Sequence, residues 1–363
     1  MKSLTDALRY RDVAPRSSTK ALVAAIAHAP RASVTALLRS AGPFEAVNGY
    51  VFSNDGLPLR EEDAAVIRAR YRAAADAVGI VMVEAIRAAL AAITVPVQVA
   101  GIGPVISLPQ VAIDYVIQRI SEPLRNAVID QAIASIPGKF GRCGGMAFSA
   151  LDLFEAGWPT ARLGRPAVGD AHYAYIFERL LDSLDANLPA FLGRVATLYV
   201  LPVFSATASG LLGAAAGSVA GPPGAAIGAL VGGGEDVLGL GGAKALMADN
   251  RTHVGRLAAR LHDHAAWPIG LVYAGSAKPW DCHQILATGI ATLPDGHVRL
   301  SVHDNNLLPS DAAVPRVEDI VVDLAGHELR VQARPDRTEY PNIRSILCEE
   351  FTPRPPPQAL YRP

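Results

Sequence analysis

Cys143 stands in the run GKFGRCGGMAFSALDLFEAGWP, residues 138–159. A Gly-rich turn leads into apolar positions Met146, Phe148, Ala150, Leu151 and Phe154, and Gly157-Trp158-Pro159 closes the run. This is the pattern of a loop entering a short buried helix. A cysteine at such a helix start meets unpaired backbone N–H groups and the positive end of the helix dipole, both of which favour a thiolate. Arg142 adds a positive neighbour, and Gly144 and Gly145 leave the sulfur open, which makes both glycines candidate substrate-binding positions. The chemistry is nucleophilic attack on a carbonyl. The competing reading is a small core residue, the usual role of a lone cysteine before an apolar helix.

A second set of residues bears on that choice. CHQILATGIATLPDGHVRLSVHDNN reads as two strands around a Pro-Asp-Gly turn near Asp295, with His283 opening the first strand and Asp304, Asn305 and Asn306 closing the second. A hairpin brings His283 close to residues 304–307. Asp304 and Asn306 share one face and Asn305 takes the other, so the group that orients the imidazole stays open among the three. Cys, His and Asp in that order suit catalysis in which the imidazole takes the thiol proton and a third group fixes its tautomer. A structural histidine at a strand start, or a metal cluster of Cys282, His283, His303 and Asp304, are the alternatives.

These blocks together resemble bacterial papain-like cysteine peptidases. GRCGGMAFSALDLFEAG looks like their cysteine block, WPIGLVYAG with WDCHQILATGI their histidine block, and VRLSVHDNNLLPSD their acid block, while IRSILCEEFTP looks like their closing strand. The likeness covers about residues 138–194 and 250–353. It implies a papain-like α+β fold with Cys143 as nucleophile, His283 as general base and acid, and Asp304 as orienter. It also implies a protein or peptide amide as substrate, although deamidases, transglutaminases and acyltransferases use the same three groups. Apart from the resemblance, Trp158, Trp267 and Trp280 read as lining the core or cleft, with Trp280 the candidate substrate-binding residue among them.

The chain departs from the family pattern in two places. Such enzymes commonly carry a Gln or Asn a few residues before the nucleophile to donate into the oxyanion hole, but residues 136–142 are IPGKFGR, leaving only the distant Asn126 and Gln131. The usual Asp-Pro-Asn is Asp304-Asn305-Asn306, and Cys282 directly precedes the histidine.

Composition narrows the rest. The chain of 363 residues carries a formal charge of −1, so a nucleic-acid partner is not expected. Charged residues make up 18%, against roughly 25% in ordinary soluble domains. With hydrophobic residues at 50%, wholesale disorder is excluded. Three scattered cysteines make no disulfide framework or zinc site, and His262 with His264 splay apart on a helix, so no metal or cofactor is expected. The N-terminus has no convincing secretory signal, which points to cytoplasmic synthesis, with signal-independent secretion as an effector or membrane association as the hypotheses beyond it.

The elements divide into an N-terminal helical region, 1–135, and a papain-like domain, 136–363, holding a Gly/Ala-rich insertion at 195–245. Helical spacing covers 60–93, 111–136 and 173–188, the last stopped by Pro189. The 26 residues between Arg87 and Asp114 carry no charge, but Pro96, Pro104, Pro109 and the Gly101/Gly103 pair favour a buried turn region between helices over a spanning helix. Residues 195–234 contain no charge, and glycines at 210, 213, 217, 221, 224, 228 and 232 lie on one helical face. One reading is a hairpin with membrane contact through 196–234, each arm about 20 residues long. The other is a Gly/Ala-rich helix pair packed inside the protein, or a loop. From this follows the rival to the enzyme: a membrane-inserting, pore-forming toxin or a binding module on a non-catalytic scaffold. Oligomeric state has no signature in the sequence.

Overall fold

The computed structural model describes residues 44, 48–50, 52–54, 59–92, 94–95, 106–107, 110–133, 141–158, 160, 163–208, 211, 242–273, 282–306, 317–326, 329–332 and 343–360. In chain order the elements are α1 (Glu61–Ala92), β1 (Thr94–Val95), β2 (Ile106–Ser107), α2 (Gln110–Ile133), α3 (Cys143–Glu155), α4 (Ala171–Tyr199) and α5 (Leu201–Ala208). Then come α6 (Met247–Asp263), β3 (Trp267–Tyr273), β4 (His283–Thr292), β5 (Val298–His303), β6 (Val317–Asp323), β7 (Arg330–Gln332) and β8 (Ile343–Cys348). The architecture is α+β: helices packed with one antiparallel sheet of six strands in the order β7-β6-β5-β4-β3-β8.

Apolar side chains at helical spacing build the first half. Ile67, Tyr71, Ala75, Val78, Met82, Ile86 and Leu90 form the buried stripe of α1. Ile113, Val116, Ile117, Ile120, Leu124 and Val128 of α2 meet that stripe, and Phe177, Leu180, Leu184, Leu188 and Leu192 of α4 join the same cluster. The turn region between α1 and α2 contains a short antiparallel pair, Thr94 opposite Ser107 and Val95 opposite Ile106.

Pro189 does not stop α4, which runs on to Tyr199. Proline in a helix interior costs a backbone hydrogen bond, but residues on both sides of it are tied down. Leu184 and Leu188 before it and Phe191, Leu192 and Val195 after it are all buried. The Asn187 side chain also exchanges hydrogen bonds with the Glu350 backbone, accepting from its N–H at 2.7 Å and donating to its C=O at 3.0 Å. Packing along the whole length outweighs the local penalty. The uncharged stretch begins inside this helix and continues into α5, bent by 55° from α4. Among the described residues no single helix is long and apolar enough to cross a membrane, although α4 and α5 together pass on length and composition. Residues 212–241, with most of the glycine array, lie outside the described residues.

The second half forms the sheet and its own core. The β4–β5 hairpin turns through Asp295 and Gly296, the latter at φ 86°, a conformation glycine adopts without strain. Register pairs Leu286 with His303 and Thr292 with Val298. Helix α3 lies against this sheet: Met146, Phe148, Ala150, Leu151 and Leu153 bury into a cluster with Ile269, Leu271, Ile285, Leu286, Leu300, Val302 and Ile346. Helix α4 therefore contributes to both clusters, with Tyr175 and Ile176 facing the sheet side.

Helices α3 and α4 approach backbone to backbone at Gly145. A Cβ there would stand 2.2 Å from the carbonyl oxygen of Ile176. Gly145→Ala should thus lower stability by about 1–3 kcal/mol through overpacking, although alanine is the better helix former. Urea unfolding of the two proteins checks this; a variant as stable as wild type would show that the contact relaxes freely.

Candidate active site

The loop before α3 sets where the nucleophile stands. Arg142 is the N-cap residue, no side chain caps the helix, and Cys143 is its first residue. The first N–H groups of a helix have no partner inside it, so Cys143, a partly exposed residue, stands at the end of the helix where the backbone dipole favours negative charge. Cys282 and Cys348 are buried.

His283 starts β4 and Asp304 follows the end of β5, so the hairpin register puts them side by side. His283 Nε2 and Asp304 Oδ1 are 2.6 Å apart, and the two residues are only 6% and 1% exposed. Asp304 Oδ1 also accepts the N–H of Asn306 at 2.8 Å. The imidazole in turn shares a hydrogen bond with the Cys143 side chain. With Nε2 on Asp304, Nδ1 is the ring nitrogen left for the sulfur. Burial by itself disfavours a charged imidazole, but the Asp304 carboxylate, its hydrogen bond and the contact with Cys143 outweigh it and raise the His283 pKa to about 10. At neutral pH the ring carries a proton on each nitrogen.

The three candidate orienters separate into three jobs. Asp304 takes the imidazole, Asn306 gives its N–H to Asp304, and Asn305 turns the other way to donate from Nδ2 to the Cys143 carbonyl at 3.1 Å. That last bond ties the end of β5 to the first turn of α3.

Gly144 and Gly145 are buried, and their lack of side chains serves packing. A Cβ on Gly144 would stand 1.9 Å from Gln284 Oε1 and 2.8 Å from Ser183 Oγ. Gln284, the residue after the histidine, donates to Ser183 Oγ at 2.8 Å and to Glu349 Oε1 at 2.5 Å. Its amide joins β4, α4 and the residue after β8 directly beneath the nucleophile's helix. Arg142, expected to lend charge to the sulfur, is fully buried, with its guanidinium over the Tyr173 ring at 3.9 Å. Its Nη2 bonds the Tyr173 hydroxyl at 2.5 Å, and that hydroxyl donates to Asp63 Oδ2 at 2.8 Å. Trp280 lies outside the described residues.

Residues from before α1 reach the site as well, which sequence spacing did not reveal. The space beside Gly49 is filled by the His303 ring, 2.0 Å from where a Cβ would stand. Tyr50 shares a hydrogen bond with Ser149 of α3 at 2.8 Å. The N–H of Asn54 donates to the Asn305 carbonyl at 3.2 Å, and Asn54 Oδ1 accepts the N–H of Arg142. Asn126, one of the distant oxyanion candidates, is exposed on α2. Two tyrosines, the buried Tyr71 of α1 and the partly buried Tyr273 of β3, lie within electrostatic reach of Cys143. Burial first, and then the negative charge of the site, pushes both phenols well above their ordinary range.

Among the described residues no group of three or more His, Cys, Asp or Glu side chains is arranged to hold a metal ion. His262 pairs with its neighbour Asp263 at 2.7 Å, and His264 faces Glu155 at 3.7 Å. No family model, curated protein or solved structure matches the chain.

The raised pKa of His283 makes stability depend on pH. In the unfolded chain a histidine titrates near about 6.5, whereas in the fold it holds its proton to about 10. The stabilisation is therefore fully present below the unfolded value and is lost as pH rises through the folded one. The stability gap between wild type and His283→Gln should be widest near pH 6 and shrink steadily towards pH 10, as read by urea unfolding across that range. A gap that widens with pH would mean that the buried ring is neutral.

Proposed function

We infer that the protein is a papain-like cysteine hydrolase acting on amide bonds of a protein or peptide. What carries the reading is the continuous hydrogen-bonded chain from Cys143 through His283 to a sealed Asp304. Such a chain has little value to a structural cysteine, because it keeps a charged ring buried. It suits a nucleophile that needs an ionised sulfur and a nearby proton donor.

The Cys143 thiolate attacks the carbonyl carbon while the C=O π electrons move to oxygen. Collapse of the tetrahedral adduct re-forms C=O and breaks the C–N bond, as the Nδ1 proton of His283 passes to the departing nitrogen. The products of this half are a free amine and a thioester on Cys143. His283, now neutral, takes a proton from water as its oxygen attacks the thioester. The second adduct expels the thiolate, the acid product leaves, and the imidazolium is restored. Asp304 keeps its charge throughout, holding the ring by Nε2 and stabilising the imidazolium state. Because the partly exposed Cys143 stands at a helix start while His283 and Asp304 are buried, the substrate carbonyl approaches from the Cys143 side.

Labelling with iodoacetamide, read at each cysteine by mass spectrometry, tests the chain without a known substrate. Cys143 should react first, at neutral pH, and His283→Ala should slow it by tenfold or more. Cys282 and Cys348 serve as buried controls in the same sample. Equal Cys143 rates in the two proteins would remove the imidazole from the chemistry and the enzyme reading with it. Asp304→Asn should also slow Cys143, by less than His283→Ala, since the ring remains but loses its charged partner.

A further inference from the structure

Acyl transfer through Cys143 is accelerated by hydrogen-bond donors aimed at the oxygen that becomes negative in the tetrahedral adduct. One is available from the helix: the Cys143 N–H belongs to an uncapped first turn. The segment ahead of it, where a second amide would ordinarily be sought, ends in Gly141-Arg142 and supplies no carboxamide among the described residues.

Asn54 stands at that place from the far side of the chain. Its backbone N–H is held by the Asn305 carbonyl at 3.2 Å, and Asn305 itself holds the Cys143 carbonyl. Its Oδ1 accepts the N–H of Arg142, one residue before the nucleophile, which fixes which end of the amide is oxygen. Nδ2 is left lying along the Gly141 backbone, 2.9 Å from where a Cβ on that glycine would stand. This contact accounts for glycine at 141: any side chain would displace the amide. The residue is 9% exposed, and its Nδ2 makes no hydrogen bond among the described residues, yet it is not one of the sealed, unsatisfied polar atoms. A donor amide is thus fixed at both its backbone and its oxygen, with its N–H groups unspent, on the two residues that directly precede the nucleophile.

We propose that Asn54 is a catalytic residue, the second oxyanion-hole donor, contributed by the segment before α1 in place of a residue just upstream of the cysteine. This rests on the cysteine-hydrolase reading above. In the adduct, Nδ2 and the Cys143 N–H both donate to the oxygen formed from the carbonyl. They release it when the C=O bond re-forms, and no proton changes hands at Asn54.

The test compares two reactions of the same sulfur in the full-length protein. Acylation of Cys143 by p-nitrophenyl acetate passes through an oxyanion, whereas alkylation by iodoacetamide is a direct displacement and forms none. Asn54→Asp keeps the oxygen that accepts the Arg142 N–H and removes the donor. Asn54→Ala removes both. The ratio of acylation to alkylation should fall in both variants by on the order of tenfold to a hundredfold. A ratio unchanged in Asn54→Asp overturns the proposal, as do alkylation and acylation falling in step in both variants, since Asn54 would then only position the loop. If instead wild-type alkylation of Cys143 does not depend on His283, the hydrolase reading itself has failed and this assignment falls with it.

Discussion

A charged pair closed off from water sets the terms for the rest of the molecule. Burying His283 and Asp304 costs solvation that only good geometry and further hydrogen bonds can offset. Asp304 meets this with two donors, the imidazole and the Asn306 N–H, and the imidazole meets it with a carboxylate on one nitrogen and a sulfur on the other. The partners come from three places: the start of β4, the turn after β5 and the start of α3. The β4–β5 register, the tight turn after β5 and the seat of α3 are therefore parts of one condition, and a slip of one residue in the hairpin would reverse which side chains face the helix.

The seat of α3 is where packing meets chemistry. Two consecutive glycines let its first turn sink against α4 on one side and the Gln284 amide on the other. Gln284 then links Ser183 of α4 to Glu349 beyond β8, so the nucleophile's helix rests on a polar joint between the helical half and the sheet. Helix α4 serves both halves. Its Ser183 and Asn187 anchor the sheet side, while its leucines fill the cluster shared with α1 and α2.

The segment before α1 belongs to the same construction. Gly49 sits on the His303 ring, Tyr50 reaches Ser149, and Asn54 bridges the loop before Cys143 to the turn after β5. A second link runs from Asp63 at the start of α1 through Tyr173 to the buried Arg142. The helical N-terminal region is thereby joined to the site by hydrogen bonds at two points around the nucleophile, in addition to its apolar contact with α4.

Local pattern in the sequence was enough to identify several parts of this. The apolar stripes of α1 and α2, the helix opening at Cys143 and the hairpin turning at Asp295 follow from spacing of 3 to 4 or of 2 residues and from turn chemistry, all of which act over a few neighbours. The closeness of His283 to Asp304 was legible too, because a hairpin turns sequence distance into contact. Spacing could not say which of Asp304, Asn305 and Asn306 takes the imidazole, where Arg142 turns, or that Gly144 and Gly145 face packed neighbours. Nor could it show that Pro189 stays inside a helix or that Asn54, 89 positions before Cys143, joins its loop. Those outcomes were decided by tertiary structure, because each is a contest among distant groups for the same buried volume or the same unpaired donor. Such contests are settled only when the whole chain is in place.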